Sequence, residues 1–230
     1  VTPVAPLLMA GAIVCPVALI VAMETSSYDT WAAFWIAPLL LLLTIPIATR
    51  ASRLEDDPGL GRFLLLAAGL KVLVGSAARY FTIYYLYDGT ADAERYHDAG
   101  VLLADQFRRG DYSDLGKISG TRFMEIATGQ VYAITGATRL GAFMVFSWLG
   151  FLGLYFFYRA FRIALAGGDH RRYRLLLFLF PTMWFWPSSI GKESVMVLFL
   201  GVAAYGFSRL LMAHMSGVLF VGLGVWGATI

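Results

Sequence analysis

Seven apolar runs dominate the chain, near residues 5–23, 33–49, 63–86, 141–161, 175–190, 194–208 and 215–230. A helix needs about 20 apolar residues to cross roughly 30 Å of hydrocarbon, and fewer where the bilayer is thinned or hydrated. The expected fold is an all-α, polytopic membrane helical bundle of about six to seven membrane segments. The chain reads as a single transmembrane domain: an N-terminal helix pair in 1–62, a core over 63–208, and a final helix over 209–230. Run 175–190 is short, and Pro181 and Pro187 interrupt it. The last run stops at Ile230 with no polar tail, which reads as a longer chain cut short. The first run does not read as a removable signal peptide, because no basic region precedes it and no small-residue cleavage site follows before Glu24.

Composition excludes whole classes of function. Charged residues make up 14 % and apolar residues 59 %, against about 25 % and 45–50 % in a soluble domain. That is too little charge to coat a water-facing surface, which rules out a soluble enzyme, a nucleic-acid reader or a disordered linker. The net charge of +3 therefore bears on topology, and no nucleic acid is expected as a partner. The single cysteine, Cys15, excludes a disulfide within the chain and a Cys-based zinc site. In its apolar run it reads as an inert buried thiol.

Orientation follows from the positive-inside rule. The connections 49–62, 159–174 and 209–215 carry nine Lys and Arg in 37 residues, whereas 24–31, 87–140 and 187–193 carry seven in 69. The denser set is expected in the cytoplasm of a bacterial-type plasma membrane. That places the N-terminus inside and the long loop 87–140 outside. This loop holds 8 of the 15 carboxylates. Its apolar residues recur at helical spacing, as Tyr96, Ala99, Leu103 and Phe107 and again as Met124, Ala127, Val131 and Ile134. Two amphipathic juxtamembrane helices along the outer face are predicted, with residues 108–114 as the turn between them.

Three places could carry chemistry. The loop opens with Asp88-Gly89-Thr90-Ala91-Asp92-Ala93-Glu94-Arg95-Tyr96-His97. Thr90 is the expected N-cap, with Asp92 and Glu94 in the first helical turn. Acids there complement the helix dipole, yet a carboxylate at a partly dry interface can also act as a general base. Lys71 and Arg79 lie eight residues apart in an apolar run, where a cation is a functional-site candidate by default. Arg79 could snorkel to the surface or face a lipid phosphate, and a structural ion pair is expected for Lys71. The segment from Pro181 to Ser194 suggests a broken hairpin of the kind tolerated only inside protein or along a cavity. Its new helix start beside Lys192 would suit an anion. Its aromatics could equally form an interfacial belt, with Lys192–Glu193 as a local ion pair.

In their order these segments resemble the GT-C class of polyprenyl-phosphate-sugar-dependent glycosyltransferases, including bacterial families like the dolichyl-phosphate-mannose protein mannosyltransferases. The features that match are the acidic motif Asp92-Ala93-Glu94-Arg95-Tyr96-His97, the segment 128–136, Arg139, a helix ending Tyr158-Arg159-Ala160-Phe161, and the Pro- and Trp-rich segment with Lys192-Glu193. The likeness covers roughly residues 63–208. It implies inverting sugar transfer at the outer membrane face, from a polyprenyl-phosphate sugar donor in the membrane lipid to a glycan, lipid or protein acceptor. On this chain it implies Asp92 as general base, with Glu94 as the alternative, and Lys192 and Arg79 as donor-phosphate ligands. Tyr96, His97 and Glu193 would bind substrate. No cofactor is assigned, and a divalent cation is compatible with the class. Such enzymes usually have more membrane helices, often followed by an outer domain. Rival readings from other classes are a transporter or flippase component and a non-catalytic membrane subunit.

Overall fold

The computed structural model describes residues 17, 20, 21, 23–113 and 115–229. Among them the regular elements are all helices: α1 (Tyr28–Glu55), α2 (Pro58–Leu86), α3 (Asp92–Arg108), α4 (Thr121–Thr135), α5 (Arg139–Ala164), α6 (His170–Leu179), α7 (Pro181–Phe185), α8 (Lys192–Leu211) and α9 (Gly217–Thr229). Four of these, α1, α2, α5 and α8, are long and apolar enough to cross a membrane, and α9 is a shorter apolar helix. Run 175–190 does not form one continuous helix. Phe180 takes an extended conformation (ψ 123°) ahead of Pro181, which opens α7, because a residue before proline is pushed out of the helical region. Cys15 and most of run 5–23 lie outside the described residues.

Small residues let the long helices approach closely. A side chain on Gly61 would meet the Ser52 hydroxyl at 2.7 Å and the Ala48 carbonyl at 3.1 Å, where α1 turns into α2. Between α5 and α8, Gly153 and Gly201 oppose each other so tightly that a Cβ on Gly201 would overlap the Gly153 carbonyl. Lipid supplies no hydrophobic drive between helices, so such van der Waals seams hold a bundle together. Two stretches of α2, Leu70–Gly75 and Thr82–Leu86, are π-helical. The first carries Lys71.

Ion pairs mark the two ends of the bundle. Glu55 pairs with Arg159 (2.8 Å) and with Arg162, and Asp57 pairs with Arg174 (2.8 Å). Asp29 and Glu94 both pair with Arg139 at the opposite end. At 1.5 Å per residue, the 29 residues of α2 separate these ends by about 40 Å. The cation-dense connections 49–62 and 159–174 thus share one end, the basic end, and the long loop 87–140 caps the other.

The loop is largely helical and docked. α3 and α4 cross where Gly100 faces Thr128 and Gly129 faces Leu103, each contact too close for a Cβ. Tyr96, Met124 and Tyr132 continue inward into a core with Ile83, Phe143, Ile190 and Val195. The first predicted stripe is turned inward. The second is only partly so: Met124 is buried, but Ile134 is 86 % exposed while Tyr132 is buried in its place. The reason is that α4 has two partners, α3 and the bundle, and one stripe cannot serve both. The connection between α3 and α4 also runs on beyond the predicted turn 108–114, as far as Gly120. Asp114 is outside the described residues.

Candidate functional site

The first turn of α3 separates two clefts. The smaller, of about 170 Å³, is lined by Arg79, Asp92, Tyr96, Ser189, Lys192 and Glu193, among others. Five residues singled out in the sequence, from three distant segments, therefore meet in one place. α2 supplies Arg79, α3 supplies Asp92 and Tyr96, and the start of α8 supplies Lys192 and Glu193. Asp92 is the first residue of α3, and Ala91 occupies the cap position. The predicted cap, Thr90, instead donates its hydroxyl to the Tyr87 carbonyl (2.6 Å). Asp92 is exposed, and among the described residues no hydrogen bond or ion pair engages its carboxylate.

The two cations of this cleft have no carboxylate within ion-pairing distance among the described residues. The Arg79 guanidinium lies over the rings of Phe185 (5.1 Å) and Trp186 (4.8 Å), and its Nε is buried without a partner. Lys192 Nζ reaches only the Thr121 hydroxyl, at 3.3 Å. The local Lys192–Glu193 ion pair considered from the sequence does not form. The Glu193 carboxylate folds back over Gly191 instead, at a helix start whose cap residue has no side chain to accept from its free N–H groups. Such a start, flanked by cations, attracts negative charge.

Lys71 holds the wall of this cleft in place. It is 1 % exposed, and its Nζ donates to the Pro187 carbonyl (2.8 Å), the Met183 carbonyl (3.1 Å) and the Ser188 hydroxyl (3.1 Å). The expected ion pair is replaced by hydrogen bonds to carbonyls that α7 and the following turn leave open. Pro187 cannot donate a backbone N–H and the turn cannot continue the helix, so these acceptors need an outside donor. Arg79, two turns further along α2, meets the same segment at Phe185 and Trp186.

The larger cleft, about 590 Å³, lies on the other side of the α3 start and is lined by Asp29, Tyr80, Tyr84, Asp88, Glu94 and Arg139, among others. Arg139 joins the elements around it. It donates to Asp29 (2.8 Å) and to both oxygens of Glu94, while Tyr84 donates to Glu94 at 2.8 Å. The hydrogen-bonded Arg139 guanidinium holds the Glu94 carboxyl below the usual carboxylate range, against an opposing push from burial. Glu94 is thereby committed as an ionised, bonded group.

His97 lines neither cleft. It is 7 % exposed and its Nδ1 sits 2.6 Å from the Tyr132 hydroxyl. Burial pushes the His97 imidazole down and the Tyr132 phenol up, so both stay neutral.

No family model, curated protein or solved structure matches this chain. Among the described residues, no three His, Cys, Asp or Glu side chains converge on a point that could hold a metal ion. Sequence reasoning missed Asp29, Tyr80 and Lys71's true partners. Asp29 carried one usable signal: it is an acid in a connection, 24–31, that contains no cation of its own, so its partner had to come from elsewhere.

Proposed function

We propose that the chain is an integral membrane glycosyltransferase of the GT-C type, transferring a sugar from a polyprenyl-phosphate donor to a cell-envelope acceptor at the extracytoplasmic face. The observation that carries this reading is the meeting of Asp92 with Arg79 and Lys192 in one cleft, an unbonded carboxylate beside two cations that form no ion pair among the described residues. On this reading the broken crossing α6–α7 and the short helix α9 complete the membrane segments. The loop 87–140 lies outside.

The chemistry is an in-line displacement at the anomeric carbon. The acceptor hydroxyl attacks, its proton passes to the Asp92 carboxylate, and the bond from the anomeric carbon to the phosphate oxygen breaks with inversion. The departing polyprenyl phosphate carries the negative charge. Arg79, Lys192 and the open N–H groups at the start of α8 stabilise it, which is fixed electrostatic stabilisation of charge as it develops. Tyr80 and Tyr84 with the acids of the larger cleft form an amphipathic surface suited to an acceptor sugar.

Release of polyprenyl phosphate from a polyprenyl-phosphate sugar, measured with the full chain in lipid nanodiscs, tests the reading. General-base catalysis contributes about 10²–10⁴-fold, so Asp92→Asn should lower turnover by that factor while donor binding holds. Lys192→Gln and Arg79→Gln should weaken donor binding. Donor binding without turnover in the unmodified chain would favour a transporter or a non-catalytic subunit. Full turnover in a folded Asp92→Asn variant would reduce this acid to a partner of the helix dipole.

A further inference from the structure

A second charged hollow lies at the basic end, the whole length of α2 away from the proposed donor cleft. It measures about 490 Å³ and is lined by Arg162, His170, Arg171 and Arg174 together with Asp57 and Asp169, a volume in the range of small-molecule sites. Three guanidiniums face two carboxylates. Arg174 is held by Asp57, and Arg162 by Glu55 from behind. Arg171 is exposed and makes no ion pair among the described residues. Asp169 is occupied in capping α6, accepting from the Arg172 N–H at 2.9 Å.

Two features separate this hollow from a merely solvated basic turn. Among the described residues, His170 Nδ1 and Arg174 Nε are buried without a partner, so side chains of the hollow are not fully satisfied by the protein itself. The start of α6 is also packed against α5: the Phe161 and Tyr173 rings stack at 4.0 Å, and the His170 ring packs edge-on against Phe161. Along α6 the basic first turn gives way directly to exposed Leu175, Leu176 and Leu179. A hollow rich in cations, followed along the same helix by an exposed apolar stripe, matches a molecule with an anionic head and apolar chains. Basic pockets between membrane helices take phosphate-bearing head groups in this way.

We propose that the hollow formed by Arg162, His170, Arg171 and Arg174 binds the phosphate head group of an anionic membrane lipid, whose acyl chains lie along Leu175, Leu176 and Leu179. The site is independent of the proposed donor cleft and does not require that the chain be an enzyme.

Native mass spectrometry of the full chain in neutral detergent, titrated with dioleoyl-phosphatidylglycerol or dioleoyl-phosphatidylcholine, tests this directly. The phosphatidylglycerol should bind at least about fivefold more tightly than the phosphatidylcholine, and Arg171→Gln and Arg174→Gln should each cost about fivefold. Arg172→Gln removes the same charge from the next residue of α6, which does not line the hollow, and should change affinity less than about twofold. Arg171 is exposed and outside any ion pair among the described residues, so its variant remains informative if Arg174→Gln fails to fold. Equal binding of the two lipids, or equal losses in Arg171→Gln and Arg172→Gln, overturns the site. Displacement of phosphatidylglycerol by millimolar inorganic phosphate assigns the hollow to free phosphate and overturns the lipid source.

Discussion

Replacing Lys71 by Met tests how the small cleft is built. The Lys71 ammonium makes three hydrogen bonds of 2.8–3.1 Å to α7 and the turn after it. Hydrogen bonds to a charged group contribute roughly 1.5–3 kcal/mol each, and a buried acceptor left without a donor costs about 1–3 kcal/mol. Met fills most of the volume, so packing changes little, but the Met183 and Pro187 carbonyls lose this donor. Against this stands the several kcal/mol of dehydrating an ammonium, which the variant no longer bears. The balance is a net loss of about 1–3 kcal/mol, because the variant leaves neutral carbonyls without a donor and no uncompensated buried charge. Because all the lost bonds end in residues 183–188, the loss should be local. Amide exchange of the full chain in detergent at constant pH should accelerate on the order of 10–10²-fold within 181–191, with α3 and α4 little changed. Unaltered exchange in 181–191 would refute the latch, and so would a uniform rise across the bundle, which would make Lys71 an ordinary core residue.

Gly201→Val should cost about 1–3 kcal/mol of stability or more and lower the melting temperature accordingly, because its side chain would overlap the backbone carbonyl of Gly153. Gly222→Val, at a glycine with nothing near its Cβ direction, is the matched control and should leave melting unchanged. For His97, burial and then Arg139 depress the imidazole, while Asp29, Glu94 and Asp98 oppose them. Protonation is therefore easier in the unfolded chain, near the ordinary value of about 6.5. Its contribution to stability is fully present above that pH and is lost as pH falls through the lower folded value. Melting followed from pH 7.5 to 5 should show this slope, and His97→Gln should flatten it; a slope that persists in the variant would assign it to other groups.

The helical membrane character was legible because it rests on local pattern: apolar runs of near-spanning length and too little charge for a water-facing surface. Asp92, Tyr96, Arg79, Lys192 and Glu193 were legible for a related reason. Each is polar at the edge of an apolar run, so each had to lie near one of the boundaries, and the alternation of crossings put them at the same one. What the sequence could not give was pairing. Nothing in the spacing of Lys71 says that its partners are carbonyls opened by Pro187, 116 residues away. Asp29 and Arg139, 110 residues apart, are likewise a product of packing. The Ile134 error has the same origin, since periodicity identifies a face but not how many partners compete for it.

Asp92 and Glu94 look interchangeable in sequence: two acids in one helical turn, two residues apart. The fold makes them unlike. Successive residues of a helix turn by about 100°, so two steps carry Glu94 to the opposite side of the turn, into the larger cleft, where Arg139 and Tyr84 engage its carboxylate. A general base needs a lone pair free to reach the hydroxyl it deprotonates, and a carboxylate bonded in this way and held below its usual range is a weak one. Asp92 stays on the side of Arg79 and Lys192, its oxygens unengaged among the described residues. The same Arg139 that disqualifies Glu94 also ties α1 and α5 to the start of α3, fixing the turn on which Asp92 sits. On the proposed function, Glu94 holds its neighbour in position while Asp92 takes the proton.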